Sequence, residues 1–281
     1  MPNVRVGQFD LKALAAVTQS QSHHLPTMLV DSHAHLNDKR FDDDLEETLE
    51  RARLADVQII VNVGFDMPSS RRAIAVAESH EGCFASVCLH PHDSKDLNKA
   101  LLQEFRGLCA HPKVVAIGET GLDFHYDNSP RDDQRRAFAQ FVGLAGEVGL
   151  PLIVHDRDAH ADCLAILDQE CAPGQKVVFH CFSGNAEFAQ ECVARGHPLG
   201  VAGTITYPKE HKLPTAVQAV GLKHLVVESD CPYLAPQIHR GRRNEPSYII
   251  ATVARLAELL GVSYEECAEA TTANARGFYG M

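Results

Sequence analysis

The sequence has no tryptophan, and aromatic residues fill only 6% of its 281 positions. Stacking on a flat ligand would therefore fall to phenylalanine and tyrosine. Long apolar runs are missing too. No stretch comes near the roughly 18–20 residues that a membrane span requires, so no membrane association is expected. The best apolar stretch near the N-terminus, residues 11–17, is short, interrupted by Lys12 and preceded by Asp10, unlike a secretory leader. A basic excess is also absent: 37 acidic side chains against 26 basic ones leave a formal net charge of −11. An extended duplex-DNA binder carries the opposite sign, so any nucleic acid must be gripped locally, with bound cations as one means. Finally, the nine cysteines are odd in number and show no Cys-x-x-Cys spacing. A disulfide framework or zinc knuckle is not expected, most of these thiols read as small core residues, and a reducing, cytoplasmic setting fits.

What is there is ordinary globular composition, 45% apolar and 22% charged. Residues 1–27 stand apart: they are polar, rich in Gln, Ser and His towards their end, and lack clear periodicity. They read as an N-terminal extension of unclear role, ahead of a single domain over 28–281. Within that domain short β-branched runs, at 28–31, 58–63, 83–89, 114–119, 151–155, 176–180, 198–202 and 224–230, predict strands. Helical stripes lie between them. Leu45, Leu49 and Ala52 form one, after acidic Asp42 to Asp44, which suits a helix dipole. Phe138, Phe141, Ala145 and Val148 form a second, and Ile249, Val253, Leu256 and Leu260 a third, entered through Asn244 and Pro246 and closed by Gly261. Ser263 and Glu266 have capping-box spacing for a last helix. Strands alternating with helices imply a parallel sheet, and eight strands close a barrel, so the fold class is α/β, a single (β/α)8 barrel of the TIM type. An open doubly wound sheet is the alternative, but no Gly-x-Gly-x-x-Gly or Gly-Lys-Ser/Thr loop supports it.

The chemistry-bearing residues fall in one kind of place. His33 and His35 follow the first run, Glu119 ends the fourth, His155 the fifth, His180 the sixth and Asp230 the eighth. In a barrel the C-terminal strand ends share one rim, where active sites are built. A lone His at a strand end is more often a hydrogen-bonded rim or core residue, and a lone Glu there is commonly a solvated cap. His-x-His is a stronger signal, because alternate strand residues face the same side and can share one ion. The conjunction of four histidines and two carboxylates on one rim has no simple structural explanation. Imidazole with carboxylate suits Zn²⁺, Mn²⁺ or Mg²⁺, and so many ligands exceed what one tetrahedral ion takes, favouring two.

The motifs Asp31-Ser-His33-Ala-His35-Leu, Leu89-His90-Pro-His92, Gly118-Glu119-Thr-Gly121-Leu-Asp123, His155-Asp156-Arg157, Phe179-His180-Cys-Phe-Ser183-Gly184, Glu228-Ser-Asp230-Cys-Pro-Tyr233 and Arg243-Asn244-Glu245-Pro246 occur in this order. Together they resemble the TatD family of metal-dependent deoxyribonucleases, among the amidohydrolase-like barrels, from about Met28 to Tyr279. The resemblance implies two divalent ions and 3′→5′ exonuclease activity on DNA, with RNA ends as a further substrate. It implies that His33, His35 and Asp230 hold one ion, His155 and His180 the other, and that Glu119 bridges them. Asp230 would also orient the attacking water, and His90 would act as phosphate donor or general acid, against the plainer reading of a structural Leu-His-Pro turn. Glu228 would be a further ligand or stand behind the ligands, against the plainer reading of a buried strand-end carboxylate. Asp123 would receive a proton or cap the following loop, and Asp156, where many family members have Ser, adds a carboxylate behind the second ion's ligands.

Outside the ligand set, Arg240, Arg242 and Arg243, with His92, are the expected phosphate grip, since arginine binds phosphate bidentately. A solvated basic loop is the bland alternative. Phe124, Tyr126, Tyr207 and Tyr233 are the candidates for base stacking, or equally for core. The substrate expected is DNA, single-stranded or at its 3′ ends, acted on by a monomer. Rival readings are a D-aminoacyl-tRNA deacylase or another ester hydrolase acting on RNA or tRNA, and a non-catalytic nucleic-acid-binding barrel.

Overall fold

The structure is a computed structural model that describes residues 28–281. The expected extension, residues 1–27, lies outside the described residues. Eight strands run in parallel in sequence order: β1 (Leu29–Ala34), β2 (Val57–Val63), β3 (Cys83–Val87), β4 (Val114–Asp123), β5 (Leu152–Arg157), β6 (Val177–Phe179), β7 (Leu199–Val201) and β8 (Leu225–Val227). Their Val, Ile and Leu runs are buried on both faces, as strands of a helix-covered parallel sheet must be. Backbone bonds just past the last strand close the ring: Asp230 N–H donates to the His33 carbonyl at 2.9 Å, and His35 N–H to the Cys231 carbonyl at 2.7 Å.

Around the ring lie α1 (Leu45–Leu54), α2 (Met67–Ser79), α3 (Lys99–Leu108), α4 (Arg131–Val148), α5 (His160–Glu170), α6 (Ala186–Ala194), α7 (Lys212–Val220), α8 (Ile249–Leu260) and α9 (Tyr264–Tyr279). The predicted stripes are the packed faces: Phe138, Phe141 and Ala145 on α4, and Ile249, Val253 and Leu256 on α8, are buried. Gly261 ends α8 at φ 68°, where a side chain would be strained, and the Ser263 side chain accepts from the Glu266 N–H at 3.0 Å to start α9. The start of α1 differs from expectation. Glu46 and Glu47 face its dipole, while Asp44 forms no cap because its carboxylate is bound by arginines.

The barrel interior holds Val30, Val61, Ala116, Ile153, Val178 and Val226, and α9 plugs its bottom with Ala275, Phe278 and Tyr279. The Tyr279 hydroxyl donates to the Ser32 carbonyl at 2.8 Å. Each buried Val or Ile contributes roughly 1.5–3 kcal/mol, so the fold rests on this core and leaves the opposite mouth free for polar groups. Strand ends depart from the sequence reading in a telling way. Four expected strands stop early, at Val87, Phe179, Val201 and Val227, whereas β4 and β5 pair onwards to Asp123 and Arg157. Glu119 and His155 therefore sit inside paired strand, on a firmer platform than a loop.

Candidate metal centre

Two glycines explain how Glu119 is aimed. Between Ile117 and Thr120 the β4–β5 register slips, three steps along β4 matching two along β5, which is a bulge. Gly118 and Gly121 flank it at φ 143° and 145°, in a region that L side chains rarely adopt. A Cβ on Gly118 would strike Ile153, and one on Gly121 would strike the His155 carbonyl. A similar slip in β1 between Asp31 and Ala34 accompanies the inward turn of His33 and His35.

Glu119 stands at the middle of the mouth, and its two oxygens face different groups. Oε2 lies 3.1 Å from His33 Nε2 and 3.5 Å from His35 Nε2. Oε1 lies 2.8 Å from His155 Nδ1 and 3.1 Å from both His180 Nε2 and His90 Nε2. On the first side, Asp230 Oδ1 completes the group at 3.4 Å from His35 Nε2 and 3.7 Å from His33 Nε2. The His35 Nδ1 bond to the Val63 carbonyl, 2.9 Å, places the proton there and leaves the Nε2 lone pair pointing into the site. Asp230 itself adopts φ 54°, the turn that lifts it out of the line of β8.

Behind these groups stand further carboxylates. Asp123 Oδ2 lies 3.0 Å from His92 Nε2 and 3.3 Å from His155 Nε2, and its Oδ1 accepts the backbone N–H groups of His125 and Tyr126. Glu228 accepts the Cys181 N–H at 2.5 Å and lies 3.4 Å from His180 Nδ1. It fits only because residue 200 is glycine; a Cβ there would collide with its carboxylate. Asp156 differs from expectation. Its carboxylate is taken up at the start of α5, 2.7 Å from His160 Nδ1, and not by the clustered histidines.

The electrostatics follow from this crowding. Burial alone would raise the Glu119 carboxyl, but attraction to His180 and hydrogen bonds from His155, His180 and His33 hold it well below the ordinary value. Burial likewise opposes charge on His180, yet Glu119 and Glu228 push it well above the usual imidazole value. His33 goes the other way, lowered by burial and by repulsion from His180. His90 is lowered to about 4, chiefly by burial, and stays neutral near pH 7. Because its Nδ1 accepts the His92 N–H at 3.2 Å, its Nε2 carries the proton and donates towards Glu119.

Whether this set fits metal ions can be judged from the donors. His33 Nδ1 and His180 Nδ1 are buried without a well-directed hydrogen bond. Among the described residues, three groups offer ligand atoms within 4.8 Å of one another: His33, His35 and Asp230; His33, His180 and Glu228; and His90, Glu119 and His155. Ring nitrogens as close as 3.2 Å, between His33 and His35, repel one another unless a proton or a cation lies between them. Imidazole and carboxylate so arranged suit a divalent cation.

The centre opens into a cleft of about 920 Å³ at the C-terminal mouth, which Asp123 and His92 also line. Arg240, Arg242 and Arg243 do not line it, contrary to the expected phosphate grip. Arg243 donates to Asp44 at 2.6 Å and to the Arg40 carbonyl at 2.5 Å, bracing the start of α1. Arg240 bonds the Tyr207 hydroxyl at 2.7 Å and covers its ring, and Arg242 is exposed. Among the described residues, the arginine or lysine in the wall is Arg157. Its position two residues after His155 on β5, hence on the same side of the strand, was the available signal. Asn244, buried and donating to the Ser229 and Tyr233 carbonyls at 2.7 and 2.6 Å, ties together the loop that carries Asp230, a role that its place at a helix entry does not reveal.

A barrel with such a mouth defines the class: this is a metal-dependent hydrolase acting on ester bonds. A family model described as "TatD related DNase" matches residues 30–280, and the chain belongs to the TatD family. It is 43% identical over 252 residues to the "Uncharacterized metal-dependent hydrolase YabD" of Bacillus subtilis, covering 90% of this chain and 99% of that one. It is 35% identical over 245 residues to the "3'-5' ssDNA/RNA exonuclease TatD" of Cronobacter turicensis, covering 85% and 93%. The crystal structure of YjjV, a TatD homologue from Escherichia coli, superposes with a TM-score of 0.87 at 29% identity, covering 92% of this chain and 100% of that one.

Proposed function

We propose that the chain is a two-metal nuclease that removes nucleotides from the 3′ ends of single-stranded DNA, with RNA ends as a second substrate. The observation that carries this reading is the division of Glu119, one oxygen towards His33 and His35 and the other towards His90, His155 and His180. A carboxylate so shared suits a bridge between two cations, with His33, His35 and Asp230 on one side and His155 and His180 on the other. Mg²⁺, Mn²⁺ or Zn²⁺ held there would polarise a phosphoryl oxygen and ease deprotonation of the attacking water.

The protein's own groups do the rest. Asp230, at the edge of the cleft, accepts the proton of the attacking water. His90, neutral and protonated on Nε2, donates to a phosphoryl oxygen as charge builds there. Asp123 holds His92 and His155 in orientation from below. The name of the Cronobacter turicensis relative supports the polarity and the single-stranded substrate.

Purified protein supplied with Mg²⁺ or Mn²⁺ is given a 5′-labelled single-stranded DNA and, separately, a D-aminoacyl-tRNA. A ladder shortening from the 3′ end, abolished by excess chelator, is the expected result. Release of amino acid with the DNA intact would reassign the site to a deacylase, and binding of DNA without turnover of either substrate would make it a binding module.

A further inference from the structure

Of the four aromatic residues that the sequence offers for stacking, the structure separates two from the rest. Phe124 and Tyr207 are partly buried and do not line the metal cleft. Tyr126 and Tyr233 are 56% and 46% exposed, and both line the metal cleft. They stand beside different groups of the site. The Tyr233 ring packs edge-on to His35 with centroids 6.1 Å apart, beside the His33, His35 and Asp230 group. The Tyr126 ring packs edge-on to His92 at 5.6 Å, beside the Asp123 and His155 group.

Each tyrosine also carries a guanidinium: Arg40 lies 4.4 Å from the Tyr233 ring centre and Arg157 lies 5.3 Å from that of Tyr126. The two cations differ in what else they hold. Arg40 is engaged with Asp38 at 2.8 Å. Arg157 has aspartates on both sides in sequence, yet Asp156 is bound to His160 at 2.7 Å and Asp158 to His125 at 3.2 Å. Arg157 is thus the uncommitted cation of this wall among the described residues. In a chain of net charge −11, an exposed, unpaired arginine beside an exposed ring at the mouth of a hydrolytic site is a local grip for a phosphate with a flat group attached.

We propose that Tyr126 and Tyr233 are stacking walls for the two bases that flank the scissile phosphodiester, and that Arg157 takes a backbone phosphate next to Tyr126. This rests on the nuclease reading above and names how that site selects its substrate. Two rings beside different groups of the site receive neighbouring bases only when these are splayed and unpaired, so a duplex end is refused unless it frays. Base–aromatic stacking is sequence-tolerant because every base presents a π-face, so little base preference is expected.

The test uses the metal-loaded protein and a 5′-fluorescein-labelled decathymidylate whose terminal linkages are phosphorothioates, so that binding is read without hydrolysis. The chain has 6 tyrosines and no tryptophan, so stacking is visible directly as quenching of tyrosine emission. Removing the two 3′-terminal bases as abasic sites should weaken binding about tenfold per base and abolish the quenching. Tyr126→Leu with Tyr233→Leu should weaken binding of the intact oligonucleotide by a similar factor, after which the abasic sites cost nothing more. Tyr126→Phe with Tyr233→Phe should restore tight binding, because the ring and not the hydroxyl stacks. Arg157→Ala should lower the slope of log Kd against log salt by about one. Equal abasic penalties in the wild type and the leucine variant, or unquenched emission on tight binding, would overturn the proposal while leaving the nuclease reading intact. The abasic arm needs no variant, so a misfolded variant does not protect the idea. If the wild type neither binds nor shortens single-stranded DNA but releases amino acid from aminoacyl-tRNA, the nuclease reading falls and this proposal falls with it.

Discussion

Glu119→Gln removes one charge and almost no volume, which makes it the sharpest probe of the centre. In the wild type the carboxylate lies within 3.5 Å of five imidazole nitrogens, and its ordinary protonation is suppressed by them. An amide keeps one acceptor oxygen but turns its NH₂ towards one group of histidines, whose ring nitrogens would face a bound cation. Hydrogen bonds to a charged partner contribute roughly 1.5–3 kcal/mol each, and contacts made by one group are strongly non-additive. A loss of about 4 kcal/mol in transition-state stabilisation, roughly a thousandfold in kcat, is therefore the expected scale. Substrate affinity should change far less, because the groups proposed to hold the nucleic acid, Tyr126, Tyr233 and Arg157, are not among the contacts of Glu119. Glu119→Asp keeps the charge but is one methylene shorter, so it can serve one group of imidazoles and not both; its activity should fall between the other two. The assay is kcat and KM on a labelled single-stranded oligonucleotide, with elemental analysis of the dialysed protein to read metal content. Retention of the wild-type rate to within about tenfold, worth only ~1.4 kcal/mol, would refute the bridging role.

Arg243→Ala should act on stability and not on substrate binding, since its partners are Asp44 and the Arg40 carbonyl. A cost of about 1–2 kcal/mol, read as a Tm lower by a few degrees, is expected, while Arg242→Ala should leave Tm unmoved. Gly121→Ala should cost about 2–4 kcal/mol and also impair catalysis, because the new Cβ meets the His155 carbonyl at φ 145°. Normal activity and Tm in that variant would contradict the geometry of the β4 bulge. His160 is raised above the usual imidazole value by its hydrogen bond to Asp156. A folded value above the unfolded one makes its stabilisation complete below about pH 6.5 and lost as pH rises through the folded value. The stability gap between wild type and His160→Gln, measured in urea at about pH 5.5 and about pH 8.5, should therefore shrink with rising pH. A gap that is constant or widens would show that the Asp156 pairing does not hold the proton.

Much of this protein was readable from local rules. Alternation of β-branched runs with helical stripes determined a parallel barrel, because strands buried on both faces and helices with one apolar face have few other ways to pack. The same reasoning put His33, His35, Glu119, His155, His180 and Asp230 on one rim, since parallel strands share a direction and therefore share their C-terminal ends. Chain-local signals, such as the Ser263 cap and the Gly261 terminator, held for the same reason: their partners lie within a few residues.

What only the tertiary structure decided concerns partners far apart in sequence. Arg243 chose Asp44 across 199 positions, and nothing in a basic run says which carboxylate will claim which guanidinium. Among the described residues Arg157 is the unpaired guanidinium of the cleft wall, and its neighbouring aspartates are held by His160 and His125. The split of Glu119 between two sets of histidines depends on a bulge with glycine on both sides, whose register β5 sets from outside the segment. Sequence periodicity says which side of a strand a residue faces; distances of about 3 Å between groups on different strands are set by how the strands twist and pack together.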